Sequence, residues 1–190
     1  MGVHRLARRA VFLDRDGVIN RAVLREGKPY PPSSLAELEI LPDVPEALAR
    51  LHATGFRLIV VTNQPDVARG TQAREVVEAM HATLLAHGLP IDSFQVCYHD
   101  DAHDCTCRKP SPGLLLAAAW EENLDLATSF IVGDRWRDIE AGRRAGCTTV
   151  FINYHYAEGK PSPADACVRS LTEAADWILT RVNQEKGELK

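Results

Sequence analysis

Five short stretches of the chain are apolar but for threonines and Gln95: Ala10–Leu13, Leu58–Thr62, Phe94–Cys97, Phe130–Val132 and Thr148–Ile152. None alternates apolar with polar residues, so each reads as a strand covered on both faces, as in a parallel sheet. Between them apolar residues recur at helical spacing. Val44, Ala47, Leu48 and Leu51 follow Asp43 and Glu46, a pair spaced like a capping box, and Gly55 closes the run. Thr71 to His87 puts Val77, Met80 and Leu84 on one face before Gly88, and Ser170 with Glu173 opens a final helix carrying Leu171, Ala174, Ile178 and Val182. The polar tail from Asn183 is expected to fray.

Strands alternating with helices predict an α/β fold, a doubly wound and mainly parallel sheet in one domain over residues 1–190. Ligands of such sheets sit beyond the carboxyl ends of the strands. Chemistry is therefore expected just after Leu13, Val61, Val96 and Val132.

Composition narrows the partners. With 45% apolar residues, 25% charged residues and a net charge of -4, the chain reads as globular, and nothing in it suggests a nucleic-acid partner. No apolar run reaches the roughly 18 residues that span a bilayer. The basic start, Met1 to Arg9, lacks the apolar stretch of a secretory signal, so a cytoplasmic protein is expected. Five cysteines are present, three of them crowded between Cys97 and Cys107, which in a cytosolic chain argues for a metal rather than disulfides. Cys147 and Cys167 stand in apolar surroundings and read as core thiols.

The polar residues gather where the fold expects them. After the first strand comes Asp14-Arg15-Asp16-Gly17. Asp14 suits a nucleophile toward phosphorus, and Asp16 suits a general acid that later activates water. The second strand ends in Thr62-Asn63-Gln64, donors at the same edge. The third leads to Arg108-Lys109, a guanidinium fork beside a point charge. The fourth ends in Gly133-Asp134, where a carboxylate can join a shell of oxygen ligands around magnesium, with Asp138 placed to steady the site. Taken singly, each cluster is equally a charged turn, a basic turn or a helix cap.

Cys97, His99, Cys105 and Cys107 offer three thiolates and an imidazole, a closed tetrahedral set for structural zinc (Zn2+) in a loop spanning 97–107. His103 is left as a solvated spare. Folding around zinc would place Arg108 and Lys109.

Together these motifs resemble the haloacid dehalogenase-like phosphatases from Ala10 to Ile152, on Asp14-Arg15-Asp16-Gly17, Thr62-Asn63, Lys109, and Gly133-Asp134 with Asp138. The resemblance implies catalytic roles for Asp14, Asp16, Thr62 and Lys109. It implies magnesium (Mg2+) held by Asp14, the main-chain carbonyl of Asp16, and Asp134. It also implies an open site, since no large cap domain fits between the motifs. The cysteine loop followed by Arg-Lys-Pro is similar to the group containing D-glycero-D-manno-heptose 1,7-bisphosphate phosphatase and the histidinol-phosphatase domain. That likeness implies a small phosphorylated sugar as substrate, with Asn63, Gln64, Arg69, Arg108 and Arg135 as contacts; a monomer is expected. Arg21–Ser34 and Pro65-Asp66 depart from the heptose pattern, in loops that could touch the sugar. Histidinol phosphate or another small phosphate ester is the alternative substrate, and a non-catalytic zinc-bearing interaction domain the alternative of another class. Tyr154, His155 and Tyr156 are expected to cover the sheet edge.

Overall fold

The computed structural model describes residues 7–159 and 163–188. The start of the basic N-terminal stretch, Met1 to Leu6, and the last two residues lie outside them. The element order is β1 (Ala10–Leu13), β2 (Val23–Arg25), β3 (Lys28–Tyr30), α1 (Val44–Ala53), β4 (Arg57–Asn63), α2 (Pro65–Ala68), α3 (Arg74–Ala86), β5 (Ser93–Cys97), α4 (Gly113–Glu122), β6 (Phe130–Gly133), α5 (Trp136–Ala145), β7 (Thr148–Ile152), β8 (Ala166–Val168) and α6 (Leu171–Glu188). Six strands form one parallel sheet in the order β5-β4-β1-β6-β7-β8. All five strands read from sequence are present, β1 and β7 with the same bounds and β4, β5 and β6 extended by one residue at one or both ends.

The continuous apolar runs are explained by two cores, one on each face. Val11 and Leu13 of β1 join Leu58, Val60, Phe130, Val132 and Val150 against α1 and α6. Ala10 and Phe12 face the other way and join Ile59, Val61 and Ile131 against α4 and α5. Every one of these strand residues is at most 2% exposed. The alternation of faces along β1 is the ordinary pleat, and burial of both faces removes the polar side.

Two helix starts differ in detail from the sequence expectation. Asp43 precedes α1 but makes no side-chain cap on it. Its carboxylate instead accepts from Thr172 N–H at 3.1 Å and Thr172 Oγ1 at 3.3 Å, capping α6 from across the interface between the two helices. Ser170 Oγ accepts from Glu173 N–H at 3.2 Å, and Glu173 reaches back to Arg169 N–H at 3.0 Å, so α6 begins as expected. Helix α6 does not fray at Asn183; it continues to Glu188.

Three strands are additional to those read from the sequence. The β2–β3 hairpin turns at Glu26 and Gly27, both at positive φ (51° and 75°), the twist that two-residue hairpins favour. Its tip is tied down by Ala157 N–H donating to Gly27 O at 2.9 Å. Strand β8 forms the sheet edge beside β7. Cys167 lies on it, exposed, so the expectation of a core thiol there is corrected; Cys147 is buried as expected. An edge strand has one free side, and its three residues are too few to show a pattern.

The chain reverses its direction of travel across the sheet at β1, which pairs with β4 on one side and β6 on the other. Such a switch point opens a crevice at the carboxyl ends of the central strands.

Candidate active site

That crevice is a cleft of about 280 Å³, whose lining includes Asp14, Asp16, Asn63, Lys109 and Asp138. Strand β1 ends at Leu13, and Asp14 N–H still donates to Val132 O at 3.0 Å, so the Asp14 side chain leaves the sheet from its most constrained point. Asp14 Oδ1 accepts from Arg15 N–H at 2.8 Å and lies 3.0 Å from Lys109 Nζ. Lys109 is 2% exposed. Its ammonium also donates to Val61 O at 2.7 Å and pairs with Asp138 Oδ1 at 2.5 Å.

Burial and charge oppose one another here. Burial raises the Asp14 carboxyl to about 7, against the pull of Lys109 and with help from Asp138 and Asp16. Burial would lower Lys109, but Asp138 and Asp14 outweigh it and hold the ammonium firmly protonated. Asp134 is pushed well above the usual carboxylate range by burial, then by Asp14 and Asp138, while the nearby Tyr156 hydroxyl and Arg135 pull the other way.

The Asp134 carboxylate is buried, and although the Tyr156 hydroxyl lies near it, neither oxygen meets a donor at hydrogen-bond geometry among the described residues. Ligand atoms of Asp14, Asp134 and Asp138 lie within 4.8 Å of one another. Unsatisfied buried carboxylate oxygens beside a second carboxylate fit a hard divalent cation such as magnesium. The approach is close: a Cβ on Gly17, whose φ is 94°, would meet Asp134 Oδ2 at 1.8 Å. Asp134 does not cap α5. Arg135 holds that position, and Asp138 Oδ2 accepts its N–H at 3.0 Å, so one carboxylate both starts the helix and anchors Lys109.

The donors after β4 have divided tasks. Thr62 is wholly buried and does not line the cleft; its hydroxyl accepts from Gln64 Nε2 at 2.9 Å, which leaves the hydroxyl proton free to donate. Gln64 is equally buried, and its amide also donates to Asp16 Oδ2 at 2.8 Å. The expectation of a substrate contact at Gln64 is therefore corrected: its side chain is turned inward to orient Thr62 and Asp16. Asn63 lines the cleft, but its amide is engaged by the Lys109 backbone, donating to the carbonyl at 3.0 Å and accepting from the N–H at 3.1 Å.

The cations at the mouth are paired with acids. Arg108 Nε donates to Asp101 at 3.0 Å, Arg137 lies 3.3 Å from the same carboxylate, and Arg69 reaches it at 3.5 Å while holding Asp66 at 3.1 Å. Arg135 pairs with Glu158. All four arginines line the cleft, as do Lys28 and Tyr30 from the hairpin. The departure at Arg21–Ser34 thus does reach the cleft. Tyr154 and Tyr156 lie outside its lining.

Beside the cleft, the ligand atoms of Cys97, His99, Cys105 and Cys107 also fall within 4.8 Å of one another. His99 Nδ1 is 3.7 Å from Cys97 Sγ and 3.3 Å from Cys107 Sγ; sulfur pairs stand at 3.9 Å (97–105), 3.6 Å (105–107) and 2.9 Å (97–107). Tetrahedral zinc–thiolate geometry puts sulfurs about 3.8 Å apart, so the set fits zinc with one pair drawn in. His103 turns away to Asp100, at 2.6 Å.

Residues 106–174 match the sequence model of a family described as "HAD-hyrolase-like". The D-glycero-beta-D-manno-heptose-1,7-bisphosphate 7-phosphatase of Pasteurella multocida is 36% identical over 92% of this chain and 93% of its own, and that of Escherichia coli K12 is 34% identical over 90% and 87%. A D,D-heptose 1,7-bisphosphate phosphatase from B. bronchiseptica, solved with magnesium and phosphate, superposes with a TM-score of 0.79 at 29% identity, covering 91% of this chain and 99% of that one. A HAD-like phosphatase structure from Mesorhizobium loti gives a TM-score of 0.74 at 31% identity, covering 91% and 85%.

The chain belongs to the haloacid dehalogenase-like phosphatases. It is an enzyme with their fold, and its alternation of strands and helices was legible as such. Within this phosphatase, sequence reasoning missed Arg15, Asn20 and His81. Arg15 is wholly buried, although it sits in a charged turn. It forks Asp16, with Nε at 3.0 Å from Oδ1 and NH2 at 3.1 Å from Oδ2, and Asn20 Nδ2 adds a donor at 3.0 Å. No sequence signal marks His81, which lies on the inner face of α3. Among the described residues no helix is long and apolar enough to cross a membrane.

Proposed function

We propose that this phosphatase hydrolyses the 7-phosphate of a D-glycero-D-manno-heptose 1,7-bisphosphate through a covalent phosphoryl intermediate on Asp14. The observation that carries the chemistry is the buried set of Lys109 between Asp14 and Asp138, with Asp134 unpartnered beside them. The substrate rests on relatives named for that activity, which align over about nine-tenths of the chain.

Asp14 attacks phosphorus while Lys109 holds a phosphoryl oxygen, and Thr62, buried beneath the cleft lining, acts through Gln64 on Asp16 instead of touching the phosphoryl group. The alcohol leaves as Asp16 gives it a proton; Asp16 then takes a proton from the water that hydrolyses the acyl phosphate, releasing phosphate and restoring Asp14. Asp14, the Asp16 carbonyl and Asp134 would hold magnesium, whose charge offsets the repulsion between carboxylate and phosphate. Cys97, His99, Cys105 and Cys107 would hold zinc, and that loop leads directly into Arg108 and Lys109. Arg108 and Arg135 recognise the distal phosphate by their fork geometry, with Arg69 and Asn63 at the rim. The enzyme works as a cytoplasmic monomer on a small phosphorylated sugar.

The test is magnesium-dependent phosphate release from both anomers of heptose 1,7-bisphosphate, histidinol phosphate and common sugar phosphates. A heptose bisphosphate should lead by about a hundredfold or more in kcat/KM, roughly 2.7 kcal/mol of discrimination. Histidinol phosphate in the lead would replace the substrate and leave the chemistry standing. No turnover of any ester would favour a binding domain.

A further inference from the structure

His81 is a buried polar residue with no place in the mechanism above. It is 5% exposed and stacks on Phe94 with ring centroids 4.4 Å apart and planes 20° from parallel. Its Nε2 stands 3.3 Å from Arg15 NH1. Its Nδ1 faces Glu78 Oε2 at 3.8 Å, and Glu78 is itself held by Tyr98 and Arg74. Burial, then the neighbouring Arg15, lowers the imidazole to about 4, so the ring is neutral near pH 7. A guanidinium has no acceptor, so Nε2 must accept from Arg15, and the ring proton sits on Nδ1 toward Glu78.

The guanidinium is thereby used on two sides. Nε and NH2 grip the two oxygens of Asp16, and NH1 is fixed by a ring that is itself held by stacking. A neutral acceptor secures Arg15 without competing for its charge, whereas a carboxylate in that place would draw the guanidinium off Asp16. Asp16 also takes the amides of Asn20 and Gln64, so its carboxylate is held by four donors at the cleft wall.

We infer that Arg15 and His81 are positioning residues that hold Asp16 in register for proton transfer to the leaving oxygen. This rests on the reading of Asp16 as proton donor, and not on the identity of the sugar. In that step the P–O bond to the alcohol breaks, its electron pair goes to the leaving oxygen, and that oxygen takes a proton from Asp16, carried on the oxygen that gives up its contact with the Gln64 amide, as Asp14 bonds to phosphorus. A side chain misplaced by an ångström loses about a hundredfold in such a step. The loss falls on poor leaving groups, because a nitrophenolate departs without a proton.

The experiment compares kcat/KM for an alkyl phosphate that the wild type turns over with that for p-nitrophenyl phosphate. It uses wild type, Asp16→Asn, His81→Phe, His81→Gln and Arg15→Lys. His81→Phe keeps the stack on Phe94 and deletes the acceptor; His81→Gln restores an acceptor near the Nε2 position. The alkyl-to-aryl ratio should fall about tenfold or more in His81→Phe and Arg15→Lys, and return to within about threefold of wild type in His81→Gln. Thermal melting of each variant checks that it is folded. Equal losses on both substrates in His81→Phe would make its role merely structural and overturn the inference. If Asp16→Asn itself left the ratio unchanged, the proton-donor reading would fall, and the clamp with it.

Discussion

The ammonium of Lys109 lies 3.0 Å from Asp14 Oδ1, at the floor of the cleft. It also meets Asp138 at 2.5 Å, so a single buried cation is shared by two buried acids. Lys109→Met keeps the length of the side chain and removes the charge. Breaking a buried pair typically costs about 3–5 kcal/mol, because the partners stay behind unpaired. Urea unfolding should show a loss of that order, and kcat should fall by about a hundredfold or more, the usual cost of removing a charge aimed at the transition state. Loss of activity with unchanged stability would mean that Asp14 and Asp138 do not depend on Lys109 in the folded protein.

His81 sets part of the acid response. Its folded pKa is lowered to about 4, below the ordinary value of 6.5. The unfolded chain therefore binds the proton first as pH falls, and stability is lost between about 6.5 and 4. The gap corresponds to up to about 3 kcal/mol. His81→Phe should show a smaller drop in melting temperature than wild type between pH 6.5 and 4.5. Parallel curves for the two proteins would contradict a buried neutral imidazole.

At Gly17 the backbone itself makes room for the Asp134 carboxylate. Gly17→Ala would drive a methyl group into the Asp134 carboxylate, at a φ of 94° that side chains rarely adopt. Magnesium affinity, read from the concentration dependence of turnover, should weaken at least tenfold while the circular dichroism spectrum stays that of the folded sheet. An unchanged magnesium requirement would remove Asp134 from the metal site.

The cysteine loop offers a test separate from catalysis. Cys105→Ser should purify with less than one zinc per chain, melt lower than wild type, and lose activity because the loop leads directly into Arg108 and Lys109. Metal content by mass spectrometry and a melting curve read this directly. Full stability and activity without bound zinc would show that the loop needs no metal.

What the sequence disclosed follows from which forces act locally. Apolar runs announced β1, β4, β6 and β7, whose central residues are buried on both faces, whereas β5 is a half-buried edge strand that keeps Gln95 within its run. Asp14, Asp16, Lys109 and Asp134 were legible because the fold delivers strand ends to one crevice. The hairpin at Val23–Tyr30 was not, since its strands are three residues each, mostly exposed, and its turn uses Glu26 where Asn or Asp is usual. Gln64 and Arg15 were misplaced or missed because polar residues after a strand look solvated. Only the tertiary packing shows them to be interior: Gln64 turns in to Thr62 and Asp16, and α3 brings His81 beside Arg15. Asp43 reads as the cap of its own helix, and its preference for α6 is a tertiary contact between residues 129 apart.

The central claim is that Asp14 carries the phosphoryl group. The most direct measurement is acid-quenched mass spectrometry of the enzyme during turnover with magnesium and a slowly released ester, followed by peptide mapping. The account predicts a gain of one phosphoryl group on the peptide containing Asp14, absent in Asp14→Asn, whose phosphate release should fall to background. An Asp14→Asn protein that turns over at the wild-type rate, or a phosphoryl group found on another residue, would contradict it.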